Sequence, residues 1–127
     1  MAYQIIDWNR FYENAKSRSI DNCSWSPIPT KQDGLSYRRI AKEFPQYYAV
    51  FVGLVLACMK QRKEDRAGWL TDDGTAEGIA WTASDISAKI GINEDVIEGA
   101  LPYLCSDRIK WLREVKERKP LGEGDEE

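Results

Sequence analysis

Thr82-Ala83-Ser84-Asp85-Ile86-Ser87-Ala88-Lys89-Ile90-Gly91-Ile92-Asn93-Glu94-Asp95-Val96-Ile97-Glu98-Gly99-Ala100-Leu101 is the stretch on which the fold turns. Thr82 suits an N-cap with Asp85 at the third helical position, close to a capping box. Ile86 and Ile90 then share one face before Gly91 stops the helix. Asn93 is expected to cap a second helix with Glu94 and Asp95 in its first turn, and Ile92 and Ile97 are spaced as a hydrophobic staple. Ile97, Ala100, Leu101 and Leu104 form its core stripe, while Pro102 is expected to kink it or end it early. Two short helices with Gly91-Ile92 between them make a helix-turn-helix.

Upstream, Pro45 fits a first helical turn, and Tyr47, Val50, Phe51, Leu54 and Cys58 follow at spacings of three and four, with Val55 and Ala57 widening the stripe. This predicts a central buried helix. Gly68-Trp69-Leu70 reads as a short strand and Asp72-Asp73-Gly74 as a turn. Downstream, Ile109 to Val115 is strand-like and runs into a basic loop. Helix, strand, helix, turn, helix, strand and loop is the winged-helix order. The first 40 residues lack a sustained helical period and carry Trp25-Ser26-Pro27-Ile28-Pro29, which reads as extended chain with turns, an arm or a set of short strands. Their aromatics, Trp8, Phe11, Tyr12 and Trp25, predict packing on the body. The predicted fold is therefore mainly α with a small β-sheet. It is a winged helix-turn-helix domain over residues 41–119, preceded by an extended N-terminal arm (1–40) and followed by a disordered acidic tail (120–127).

Composition narrows the function. The chain has no histidine, which removes Ser-His-Asp and Cys-His catalysis and the commonest transition-metal ligand. Three widely spaced cysteines, Cys23, Cys58 and Cys105, are expected to be free. No phosphate loop is present: Gly74-Thr75-Ala76-Glu77-Gly78 lacks the Gly-Lys-Ser/Thr ending. No enzyme, metal or cofactor is expected. The N-terminus has no signal-peptide pattern and no apolar run is long enough to span a bilayer, so a cytoplasmic protein without a membrane partner is expected. Net charge is −3, but four of the twenty-one acids lie in the last five residues, and the remainder sets eighteen bases against seventeen acids. The distribution of charge then matters more than its sum.

Three further stretches carry a family likeness. In Phe11 to Arg18, in Trp25 to Arg38 with its Ile28-Pro29-x-Lys31-x-Asp33-Gly34-x-x-Tyr37-Arg38 pattern, and in Thr82 to Trp111, the chain resembles the helix-turn-helix domains of phage replication-initiation or replisome-organiser proteins. The likeness extends to about residue 115. It implies DNA binding near an origin, or recruitment of replication partners. Members often carry a further C-terminal domain, and none is expected within these 127 residues. Unlike a typical DNA reader, the second helix presents Glu94, Asp95 and Glu98 early and no Lys or Arg before Arg108.

Arg108, Lys110, Arg113, Lys116, Arg118 and Lys119 form the leading candidate for contact with a phosphate backbone; a charged edge strand protected from aggregation is the alternative. Lys31, Arg38, Arg39 and Lys42 extend that track if the arm folds beside the helix-turn-helix, or else form salt bridges to Glu43, Glu94 or Asp95. Ser84, Ser87, Lys89 and Asn93 supply polar contacts around the turn. A third basic group, Lys60, Arg62, Lys63 and Arg66, reads mainly as helix-end solubility. The expected function is double-stranded DNA binding in replication initiation or transcriptional control. The alternative is a protein-interaction module that docks a replication or host factor on Glu94, Asp95 and Glu98. Oligomeric state is open, a homodimer being one option.

Overall fold

A computed structural model describes residues 2–28 and 34–115. They form a mainly α-helical fold with a small antiparallel sheet. In chain order the elements are β1 (Ala2–Ile5), α1 (Trp8–Phe11), a 3-10 turn (Ser17–Ser19), α2 (Leu35–Glu43), α3 (Pro45–Met59), α4 (Ala83–Ile90), α5 (Glu94–Cys105) and β2 (Leu112–Val115). No helix among the described residues is long and apolar enough to cross a membrane.

α3 is the centre of the fold. Pro45 takes its first turn, where a missing N–H costs nothing, and Val50, Phe51, Leu54, Val55, Cys58 and Met59 are buried. It packs against α2, α4 and α5. α4 begins and ends as its end signals require. The Thr82 side chain accepts from the Asp85 N–H while the Asp85 carboxylate accepts from the Thr82 N–H, completing the capping box. Gly91 takes φ 76°, a left-handed conformation that a Cβ would strain. The Ser87 hydroxyl closes the turn by donating to the Ile92 carbonyl at 2.6 Å.

In α5, Asn93 stands at the N-cap position but its side chain makes no capping bond. Asp95 instead accepts from the Val96 N–H. The early end expected at Pro102 is corrected: α5 runs on to Cys105. Glu98 and Pro102 are both exposed, so Pro102 sits on the solvent side of the helix, where losing its backbone donor costs least.

The sheet departs from the expected strand order. β2 pairs with β1, in the register Ala2 with Val115 through Ile5 with Leu112, and Trp69 bridges to Gln4 on the other edge of β1. The N-terminal strand is thus central, flanked by residues 68–70 and by β2. The expected strand at 109–111 is instead a turn. The Ile109 and Lys110 N–H groups donate to the Ser106 carbonyl, and Lys110 takes φ 56°. Lys116, Arg118, Lys119 and the acidic tail lie outside the described residues.

Residues 2–28 are part of the core and not merely laid on it. Ile5, Trp8, Tyr12 and Cys23 are buried in the same cluster as Leu54, Ile86 and Leu104. The expectation of non-helical chain up to residue 40 is corrected by α1 and α2. α2 buries Ile40 fully and leaves Arg38, Lys42 and Glu43 exposed, too sparse an apolar stripe to show as a period.

Arg66 is also corrected. Its side chain is fully buried and forms a forked pair with Glu13, Nε to Oε2 at 2.8 Å and Nη2 to Oε1 at 3.2 Å. Its remaining N–H groups donate to the carbonyls of Ser17, Ile20 and Met59 at 2.6 to 3.1 Å. Glu13 accepts further bonds from Trp8 Nε1 at 2.8 Å and from the Ser17 hydroxyl at 2.7 Å. A buried arginine is tolerated where every donor is matched in this way.

Candidate nucleic-acid interface

The turn that ends α5 exposes cations. Because Lys110 is left-handed, Ile109 swings into the core while Arg108 and Lys110 face solvent. α2 docks against this turn. The Ser36 hydroxyl donates to the Arg108 carbonyl at 3.2 Å, and Arg39 Nη1 reaches the same carbonyl at 3.5 Å. Two basic stretches 69 residues apart in sequence are thereby brought together. Arg38, Arg39 and Lys42 lie on α2, Arg108 and Lys110 on the turn.

An acid and three aromatic rings adjoin the cations. Arg108 Nη2 stands 3.4 Å from Glu43 Oε2, a partly exposed pair, and the Tyr103 hydroxyl donates to Glu43 Oε1 at 3.0 Å. Among the described residues Glu43 therefore partners Arg108, and not Arg38, Arg39 or Lys42, which the sequence also offered as partners. Partial burial, and then Glu43, push the Tyr103 phenol above its ordinary value of 10, while Arg108 and Arg39 oppose the shift. Phe44 stacks on Tyr47 with centroids 4.9 Å apart, and Tyr103 meets Phe44 edge-on at 5.1 Å. The sequence reading missed Phe44 and Tyr103; their signal, aromatics at a helix junction and on a helix end, is indistinguishable from core packing until the two helices are placed.

The other candidates are dispersed. Arg113 projects from β2, where Nε donates to Gln4 Oε1 at 2.7 Å and the guanidinium lies 5.4 Å from the Trp69 ring centroid. Lys89 stands 4.8 Å over the Trp81 ring. Ser87 is spent on the turn, whereas Ser84 and Asn93 face solvent. Trp111 packs on Phe51 and Tyr48, with centroids 4.8 and 5.9 Å away. Lys31 lies outside the described residues. Glu94, Asp95, Glu98 and Pro102 are the fully exposed residues of α5, so that helix offers no cation where a recognition helix would meet bases.

The three cysteines are unpaired, and Cys58 and Cys105 are poorly nucleophilic. Burial raises the Cys58 thiol, and burial with the nearby Glu114 charge pushes Cys105 up to about 11. No protein-family model, curated protein or solved structure matches the chain.

Proposed function

We propose that the chain is a non-enzymatic, winged-helix-type DNA-binding protein. In this reading it grips the duplex by its phosphates through α2 and the turn after α5. The observation that carries the proposal is the bonding of Ser36 and Arg39 to the Arg108 carbonyl, which joins Arg38, Arg39 and Lys42 to Arg108 and Lys110 on adjoining elements. Guanidinium and ammonium groups so arranged hold phosphate and carry little base information. Sequence selectivity is accordingly modest. A part in phage replication initiation or transcriptional control accords with the family resemblance of Trp25 to Arg38 and Thr82 to Trp111.

A gel-shift series on random and genomic duplexes tests the proposal. Arg38→Ala, Lys42→Ala and Arg108→Ala together should weaken binding to every sequence alike. Loss confined to one sequence would argue for base readout and against this surface.

A second reading rests on α5. Its exposed Glu94, Asp95 and Glu98 favour a basic protein partner and oppose a DNA groove. Binding of such a partner, lost when the three acids are neutralised, would support it.

A further inference from the structure

α3 has no charged residue over its fifteen positions, the composition of a helix enclosed on all sides. It is not enclosed. Ala49 and Leu56 are exposed and Gly53 partly so, which leaves one uncovered apolar stripe at spacings of four and three. Gly53 draws α4 close at this point: a Cβ there would stand 3.0 Å from the Ile90 side chain. Beside that contact the two helices open into a groove of about 360 Å³.

The groove has an apolar floor and a cationic rim. Leu56, which is 39% exposed, Ala57 and Ile90 form the floor, and the buried Trp81 ring lies beneath Lys89 at one side. Lys60 and Lys89 are its charged lining residues, and neither makes a salt bridge among the described residues. Both stand at helix C-termini, where the dipole accounts for a positive charge. It does not account for the apolar surface left open between them.

We propose that this α3/α4 groove docks a short amphipathic helix from a partner protein, with aliphatic anchors on one face and Asp or Glu flanking them. Helices recognised in grooves place apolar side chains at i, i+3 or i+4 and i+7, the spacing of the stripe they cover. Carboxylates beside the anchors meet Lys60 and Lys89. A second copy of this chain is a poor occupant through its acidic helix: the exposed positions of α5 are Glu94, Asp95, Glu98 and Pro102, which supply no aliphatic anchor. Duplex DNA has no apolar edge to fill the floor. The inference is independent of the phosphate-binding surface, because it uses neither α2 nor the turn after α5.

The test is a display library of random amphipathic helical peptides about four turns long, selected on the full chain and counter-selected on Leu56→Glu. Leu56 is exposed, so this variant should keep its Tm. The selected peptides should carry Leu or Ile at helical spacing beside Asp or Glu. In fluorescence anisotropy they should lose at least tenfold in affinity against Leu56→Glu. The charge reversal Lys60→Glu with Lys89→Glu should repel them and favour versions with Lys in place of each acid, while duplex binding by Leu56→Glu stays unchanged. No enrichment, enrichment of basic peptides, equal affinity for Leu56→Glu, or self-association lost in that variant would each overturn the proposal.

Discussion

The Arg66 guanidinium and the Glu13 carboxylate, 53 residues apart, meet in a forked ion pair whose side chains are 0% and 2% exposed. This pair fastens residues 2–28 to the end of α3. Replacing either partner alone strands the other charge in the core. Glu13→Gln and Arg66→Met should therefore each cost about 3–5 kcal/mol in urea denaturation. The double variant Glu13→Gln, Arg66→Met should cost less than the sum of the singles, because no charge remains unpaired. A loss below about 1 kcal/mol, the scale of a surface pair, would contradict the buried geometry.

Glu13 also sets an acid limit. Burial would raise its pKa, but hydrogen bonds from Ser17, Arg66 and Trp8, with the Arg66 charge, hold it below the ordinary 4.5. A depressed carboxylate contributes stability that is fully present above its unfolded value and is lost as pH falls through its folded value. Denaturation midpoints should thus be flat just above pH 4.5 and decline below it. In Glu13→Gln the decline should be shallower, the remainder coming from Asp73 and Asp85. Hydrogen bonds from Thr75 and Thr82 respectively lower the pKa of these two acids. An identical pH profile in Glu13→Gln would refute this assignment.

The two helix starts should respond unequally to alanine. Thr82→Ala removes the side-chain half of a formed capping box, leaving the Thr82 backbone bond to the Asp85 carboxylate, and should cost about 1 kcal/mol. Asn93→Ala, at a position with no side-chain cap bond, should cost under about 0.5 kcal/mol, as for an ordinary surface change. Gly91→Ala meets nothing within 4 Å, so its cost is that of the left-handed backbone, about 1–2 kcal/mol. Equal losses at Thr82 and Asn93 would mean that the caps do not differ.

Much of this fold is legible in the sequence because local chemistry specifies it. Pro45, Thr82 with Asp85, and Gly91 mark ends of α3 and α4, and the apolar stripes of α3 and α5 match the buried residues. What escapes a sequence reading depends on neighbours distant along the chain. Nothing near Arg66 announces a partner 53 positions earlier, so it resembles its exposed neighbour Arg62. The pairing of β1 with β2 joins the two ends of the described chain, and no local pattern selects that partner over a hairpin. The cations of α2 stand out in the sequence as a group, but their meeting with Arg108 requires the helix to be placed.

The acids of α5 separate the two functional readings. Glu94→Gln, Asp95→Gln and Glu98→Gln together should leave duplex affinity equal or tighter, since they remove negative charge that repels the duplex. Weaker duplex binding would give those acids a part in DNA contact that phosphate gripping does not provide.

The salt dependence of duplex binding, measured by anisotropy for the wild type and for Arg38→Ala, Lys42→Ala, Arg108→Ala, tests the central claim most directly. Log affinity should fall linearly with log salt for the wild type. Every phosphate that the triple variant no longer neutralises should flatten the slope by about 0.9, whatever the sequence of the duplex. A wild type that binds no duplex at low salt, or whose slope the triple variant leaves unchanged, would contradict it.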